Sequence, residues 1–409
     1  MNEAKILALG GCGDMGRMAV AVLLESPSVS KITVADINYD LAKIFIELIG
    51  SDKLSAVHID INNKDELLEL ISSHDVVINT VGPFYKFEKP IVEAIIKAKK
   101  PFLDICDDWK PTLDVLELDE QAKNAGITAI IGIGASPGIS NLMAVLASSK
   151  LDEIDELITA WGESFPAKEG KKPKYYIKER KIKKKMGKQP KKPNAALEHL
   201  IFETLEEIPT FKDGKIVNIE SLSEHEPLHF PGYKKVYACH IGHPEPVTLP
   251  RTIKANTICN LCYMGKTFTD TVREYRKKII NKEVTIQDAA IALEKEIIRL
   301  VKRAMTGRSP LKEYLGGPPM LTTYVTGKKD GERKKACLSL KKFPYDEMAG
   351  VTGVPLAIAT IMLIEGKITK KGVLTPEESI DPVDFFDRLA PYCDNEKAED
   401  LLLWKVVYE

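Results

Sequence analysis

The sequence predicts an α/β protein: a doubly wound parallel sheet with an inserted mixed α/β domain. Three observations point there. Short β-branched runs alternate with longer amphipathic segments from Lys5 to about Lys150, a glycine-rich turn follows the first run, and the rhythm breaks after Lys150 before a helical stretch resumes at Asp346.

Expected strands lie at Lys5 to Leu9, Lys31 to Ala35, Ala56 to Ile59, Val76 to Asn79, Pro101 to Asp104 and Ile127 to Ile131. Helical periodicity fills the gaps at Met15 to Glu25, Asp40 to Ile49, Lys64 to Ser72, Glu88 to Lys99, Leu113 to Ala125 and Ile139 to Ser149. Past Lys150, strand-like pieces appear at Ile154 to Trp161, Ile216 to Ile219, Tyr233 to His240, Thr322 to Thr326 and Lys334 to Leu340, interrupted by amphipathic helices near Asp270 to Ile280 and Thr285 to Met305. The small, apolar stretch "EMAGVTGVPLAIATIMLIEGKI" reads as a helix returning to the first domain. The expected division is 1–150 plus 346–390 for one domain and 151–345 for the other.

At 409 residues the chain exceeds what one hydrophobic core usually organises. With 58 basic and 59 acidic residues, no global field draws it to nucleic acid or anionic lipid. No apolar run is long and unbroken enough to span a bilayer, the start lacks the pattern of a signal peptide, and seven scattered cysteines suit reduced thiols. A soluble cytoplasmic protein is expected.

The chemistry begins at "LALGGCGDMG". Gly11, Gly13 and Gly16 satisfy GxGxxG, and the context of a preceding strand and a following helix makes the match specific. In such a turn the helix N-terminus, with its exposed amides and positive dipole end, receives a diphosphate, so Gly11, Cys12, Gly13, Asp14, Met15 and Gly16 are expected to line it. Asp36, 20 residues beyond Gly16 and followed by Ile37, ends the second strand, where a carboxylate can accept from the ribose hydroxyls. A 2′-phosphate would meet that charge with no neighbouring arginine, so NAD is favoured over NADP. This is the Rossmann arrangement.

Three further segments, "DVVINTVGPF", "PFLDICDDW" and "GIGASPGISNLMA", together with the tail "TGVPLAIATIMLIEGKITKKGVLTPEE", resemble the saccharopine dehydrogenase-like family, and within it the lysine 6-dehydrogenase branch. The likeness covers 1–150 and 346–390 well, and the middle only through pieces such as "GHPEPVTLPR". It implies a homodimeric oxidoreductase that acts on a C–N bond of an amino acid, with the nicotinamide held between the domains. It also implies that Asp60 and Ile61 border the adenine, that Asn79, Val81, Gly82, Pro83 and Phe84 lie by the nicotinamide ribose, and that Ser136, Pro137, Gly138 and Asn141 line the substrate cleft. Ser136 stands where members acting on saccharopine commonly carry an acid, which points away from saccharopine itself; the likeness to the lysine 6-dehydrogenase branch makes lysine the first guess. Relatives that condense an amine with a carbonyl using NADPH offer an alternative, as does a non-catalytic NAD-sensing protein.

Oxidising a carbon that bears an amine requires a neutral nitrogen and a base to take its proton. Asp104 is the expected base or ammonium partner; it also suits a carboxylate that caps the turn at Asp107 to Trp109. Asp107 and Lys86 follow as catalytic candidates. Tyr85 can shield the nicotinamide, His243 can contact substrate, and Arg251 is the cation offered to its carboxylate.

His240, His243, Cys259 and Cys262 form an HxxH and CxxC set with zinc-like spacing. They read better as a cleft histidine and buried thiols, so no metal is expected. Lys168 to Lys192 holds 13 lysines and arginines against Glu169 and Glu179. A mobile or partner-facing insertion is expected there, with recruitment of an acidic substrate as an alternative and nucleic acid disfavoured.

Overall fold

The computed structural model describes residues 3–162, 169–186, 195–305 and 316–408. Its elements run β1 (Ala4–Leu9), α1 (Asp14–Leu23), β2 (Val29–Asp36), α2 (Tyr39–Ile49), β3 (Leu54–His58), α3 (Lys64–Ser72), β4 (Val76–Asn79), α4 (Phe84–Ala98), β5 (Phe102–Asp104), α5 (Trp109–Leu116), α6 (Asp119–Ala125), β6 (Thr128–Ile130) and α7 (Ile139–Ser148). Then follow β7 (Glu153–Gly162), α8 (Glu179–Met186), α9 (Ala195–Glu203), β8 (Glu207–Lys212), β9 (Lys215–Glu220), β10 (Glu224–Leu228), β11 (Val236–His240), α10 (Glu245–Thr248), β12 (Thr257–Tyr263), α11 (Lys266–Ile280) and α12 (Ile286–Met305). The chain ends with β13 (Leu321–Lys329), β14 (Glu332–Leu340), α13 (Glu347–Ile364), β15 (Gly372–Leu374), α14 (Pro376–Ser379), α15 (Pro382–Leu389), α16 (Ala398–Leu401) and β16 (Leu402–Tyr408).

Two compact units form. The first comprises 1–142, 168–189 and 341–402, the second 143–167, 190–340 and 403–409. In the first unit all seven strands are parallel, in the order β15-β6-β5-β4-β1-β2-β3. The chain winds outward from β1 to β3, then restarts at β4 on the other side of β1 and winds the opposite way, so the β1/β4 boundary is the topological switch point. The inner strands are buried on both faces, which is why they read as near-continuous apolar runs. Leu7, Leu9, Val77, Phe102, Ala129 and Val373 anchor one core layer with Ile91, Val92 and Ile95 of α4. α13 is buried along most of its length and packs on α1, where Gly353 lets the two backbones meet: a Cβ there would lie 2.5 Å from the Met15 carbonyl.

The basic segment belongs to this first unit rather than to the second. A mobile or partner-facing insertion was expected; the part described, 169–186, is anchored rather than mobile. Tyr176 and Ile182 are buried, the Tyr176 hydroxyl donates to Asp346, and Lys171, Lys178 and Lys185 pair with Asp394, Asp346 and Glu47. Apolar side chains at every few positions fasten the segment down while its lysines stay wet. Residues 168 and 187–192 of the run lie outside the described residues.

The second unit holds a mixed sheet, β10-β11-β12-β7-β13-β14-β16, with β8 pairing both β12 and β9. Helices α9, α11 and α12 cover one face through Leu200, Phe268, Val272, Ala289 and Leu293. The other face carries Ile158, Ala160, Ala238, Cys259, Leu261, Tyr263 and Tyr324. No helix among the described residues is long and apolar enough to cross a membrane.

Candidate functional site

The glycine turn between β1 and α1 sits at the switch point. Gly10, which precedes the GxGxxG triplet, takes the left-handed conformation (φ 68°) and makes the tight turn. Gly11 is needed for space instead, since a Cβ there would meet Ala8 Cβ at 2.9 Å. A Cβ on Gly16 would lie 2.6 Å from the Gly10 carbonyl and 2.8 Å from Gly11 Cα, so the helix rests directly against the turn. Gly13, exposed and extended (φ −66°), would bring a Cβ near only the Gly10 carbonyl, at 3.3 Å. No side chain caps α1, which leaves its first-turn amides for a ligand. Thr80 directs its hydroxyl to the carbonyls of Leu9 and Gly10 (3.1 and 3.0 Å), tying β4 to the turn. Arg17, buried under the turn, donates to the Cys12 carbonyl (2.7 Å) and pairs with Asp14. These residues fit a diphosphate.

Asp36 ends β2 as expected, but its carboxylate is bonded within the loop. One oxygen accepts from Asn38 N–H (2.8 Å) and the other from the Cys12 thiol (2.9 Å). Burial and the Asp36 charge push that thiol upward. Ile37 is exposed. Asp60 and Ile61 are half-buried after β3, and the Asn62 amide holds Asp60 below the usual carboxylate range.

The ends of β4 and β5 lie side by side, Asn79 opposite Asp104. Both side chains are fully buried, held in a hydrogen-bonded network. Asn79 accepts from Val81 N–H (2.9 Å) and donates to Glu88 of α4 (3.1 Å). Glu88 shares a hydrogen bond with Asp104, whose Oδ1 also accepts from the amides of Cys106 (2.8 Å) and Gly132 (2.7 Å). Burial first, and the Asp104 charge second, push the Glu88 carboxyl well above its usual range. Burial raises Asp104 too, opposed by Glu88 and the two amides. Asp104 has more donors favouring its anion, so the shared proton resides on Glu88. Asp104 is thus a brace joining β4, α4, β5 and β6. It also does not cap the Asp107 to Trp109 turn.

Around this brace, Gly82, Pro83, Tyr85 and Lys86 are exposed, Val81 is half-buried and Phe84 is buried. Tyr85 N–H donates to buried Asp108 (3.0 Å), and Lys86 lies over the Phe87 ring. Asp107 is half-buried. Ser136 is half-buried beside buried Pro137 and Gly138. Asn141 accepts from Gly138 N–H (3.0 Å) and donates to Glu377 (2.8 Å), which fastens this turn to α14. Glu88 and Asp108 escaped the sequence reading because an acid on an amphipathic helix or in a loop looks solvated until its partners are known.

In the second unit His243 is buried between Glu203 (3.7 Å) and Glu245 (3.6 Å) and packs on Trp161. Arg251 is exposed. The HxxH and CxxC set does not assemble: Cys262 faces Cys239 across β11 and β12 (Sγ–Sγ 3.3 Å) in the helix-covered layer, while Cys259 points into the opposite one.

The profile of the saccharopine dehydrogenase NADP binding domain matches residues 6–130, and that of the saccharopine dehydrogenase C-terminal domain matches 134–393. A carboxyaminopropylagmatine dehydrogenase from Synechocystis sp. is 22% identical over 95% of both chains. An NADP(+)-dependent, L-glutamate-forming saccharopine dehydrogenase from Pyricularia oryzae is 24% identical over 93% of this chain and 95% of its own. The solved apo saccharopine dehydrogenase (L-Glu forming) from Saccharomyces cerevisiae shares the fold, with a TM-score of 0.64 at 19% identity over 99% of this chain and 100% of its own. These findings overturn the expectation of NAD: the matching domain and the named relative point to NADP. The expectation had rested on the Asp36 charge with no arginine beside it; in the structure that carboxylate accepts hydrogen bonds from Cys12 and Asn38. Since the second profile alone takes in more than half of the 409 residues, the chain belongs to the saccharopine dehydrogenase family.

Proposed function

We propose that the chain is an NADP(H)-dependent oxidoreductase that makes or breaks the C–N bond between an amine and a carbonyl compound, one of them an amino acid. The observation that carries this reading is the pairing of a diphosphate-ready glycine turn with family domains matched along the chain. The relatives support it, one named for carboxyaminopropylagmatine and another as L-glutamate-forming.

When bound, the cofactor supplies or accepts a hydride at the carbon attached to nitrogen. The first-turn amides of α1 and the open side of Gly13 hold the diphosphate. Asp36, Ile37, Asp60 and Ile61 border the adenosine end, and the exposed Gly82, Pro83 and Tyr85 border the nicotinamide end. Asn79, Glu88 and Asp104 keep that second turn in place. Asp107 and Lys86, with polar groups that reach solvent, are the proton-transfer candidates in this unit, and Ser136 replaces Asp104 among the groups offered to substrate.

The test follows reduced-nicotinamide absorbance with NADPH and pairs drawn from amino acids, polyamines, 2-oxo acids and aldehydes. It includes the reverse assay with NADP+ and lysine, the substrate implied by the likeness to the lysine 6-dehydrogenase branch. Turnover with one pair is expected. Binding of NADPH without consumption on any pair would overturn the enzymatic reading.

A further inference from the structure

On the face of the second sheet away from its helices, four chemistry-bearing residues line up across four successive strands: His225 on β10, His240 on β11, Cys259 on β12 and Glu156 on β7. Alternation along the strands puts them together. Cys259 belongs to the apolar layer on this face, Glu156 is two residues before Ile158 of that layer, His225 is opposite Ala238, and His240 is two residues beyond Ala238. The ligand atoms of Glu156, His225 and Cys259 all lie within 4.8 Å of one another, and His225 Nε2 is 3.7 Å from Glu156 Oε1. The His240 ring meets the His225 ring edge-on at 5.5 Å.

We propose that Glu156, His225 and Cys259 form a binding site for a single zinc-like divalent cation, with His240 at the edge of its coordination sphere. Three features of the cluster support this. His225 Nδ1 lies 2.8 Å from the Glu226 carbonyl, which can only accept, so Nδ1 is committed to that bond and Nε2, 3.7 Å from Glu156, is the ring nitrogen left for a metal, which displaces its proton. The Cys259 sulfur, 2% exposed, has no hydrogen-bond partner among the described residues. One thiolate and one carboxylate neutralise a dication, so the filled site carries no net charge into a buried layer. Mixed S, N and O donors suit zinc or cobalt and exclude magnesium or calcium, which take oxygen sets. A tetrahedral zinc with bonds of about 2.0 to 2.3 Å holds its ligands roughly 3.3 to 3.8 Å apart, so the histidine–glutamate spacing already fits. On binding, the Cys259 thiol releases its proton to solvent as the S–metal bond forms.

The experiment titrates the chelator-stripped full-length protein with Co2+. The expected result is one equivalent bound, with visible bands of tetrahedral cobalt and a near-ultraviolet sulfur-to-metal charge-transfer band, all displaced by Zn2+. Cys259→Ser should remove the charge-transfer band, and His225→Asn and Glu156→Gln should each weaken Co2+ at least tenfold, with far-ultraviolet dichroism confirming folding. Cys239→Ser and Cys262→Ser should leave the spectrum unchanged. The proposal falls if wild type gives no charge-transfer band, if the band survives Cys259→Ser, if folded His225→Asn and Glu156→Gln bind Co2+ as wild type does, or if the band is lost in Cys262→Ser. None of these outcomes touches the nicotinamide assay.

Discussion

Gly13 and Gly16 separate two demands made on one turn. Gly16 has no room for a Cβ because backbone faces it, whereas Gly13 has an extended backbone that alanine adopts freely and almost open space beside it. Gly16→Ala should therefore cost about 1 to 3 kcal/mol of stability together with cofactor binding. Gly13→Ala should change stability by less than about 1 kcal/mol and still weaken NADPH at least about tenfold, because only a bound diphosphate needs that space. Chemical denaturation and NADPH fluorescence titration measure the two quantities; undiminished NADPH affinity in Gly13→Ala would show that the diphosphate lies elsewhere. The GxGxxG spacing was legible because its physics is local. Glu88 was not, since its burial depends on Asn79 and Asp104 arriving from other strands. Its role is testable through pH. Below the ordinary glutamate range both folded and unfolded chains hold the proton, and the stabilisation is complete. As pH rises, the unfolded chain releases its proton first, so this contribution declines until the folded value is passed. Gln at 88 can accept from Asn79 and donate to Asp104 but has no proton to lose. The Tm of Glu88→Gln relative to wild type should therefore climb from pH 4 to pH 8, and a constant difference would mean that Glu88 is not protonated in the folded protein.

At the scale of elements, α1 is held between its glycine turn and α13, which packs against it at Gly353. A Cβ at 353 would meet the Met15 carbonyl at 2.5 Å and Met18 Cβ at 2.7 Å. Gly353→Ala should push α1 away from α13, costing about 1 to 3 kcal/mol, and should weaken NADPH although residue 353 lies outside the turn. A variant destabilised as stated but with unchanged NADPH affinity would show that the α1 N-terminus does not depend on this packing. The first six strands were legible within a residue or two because strands buried on both faces write continuous apolar runs. β15 was not, because three residues, Gly372–Leu374, carry no periodicity and are recruited by pairing with β6 more than 240 positions away. The CxxC of β12, read as buried thiols rather than a zinc set, follows the same strand geometry. Residues three apart on a strand face opposite sides, so Cys259 and Cys262 belong to different layers while Cys259 shares a face with residues on three other strands.

At the scale of the whole molecule, cofactor preference is a free-energy difference that reaches the unfolding transition. A ligand that binds only the folded state at one hundred times its Kd stabilises by about 2.7 kcal/mol, which for a unit of this size raises Tm by roughly 5 to 10 °C. The glycine turn, Asp36 and the β4 end all lie in the first unit. NADPH should therefore raise the transition reported by Trp109 of α5 directly, and the comparison is cleanest by calorimetry with tryptophan fluorescence alongside. NADH carries the same diphosphate but lacks the 2′-phosphate, so at equal concentration it should shift the transition by at least 3 °C less, corresponding to a tenfold or greater affinity difference at about 2 to 4 °C per kcal/mol. Equal shifts would overturn the preference for NADP, and no shift with either would remove the cofactor from this turn altogether. Cys12→Ser refines the same measurement. It keeps a donor for Asp36 while removing the thiol, so the NADPH shift should persist, whereas Cys12→Ala frees one Asp36 oxygen and, by exposing its charge to the 2′-phosphate, should reduce the NADPH shift more than the NADH shift.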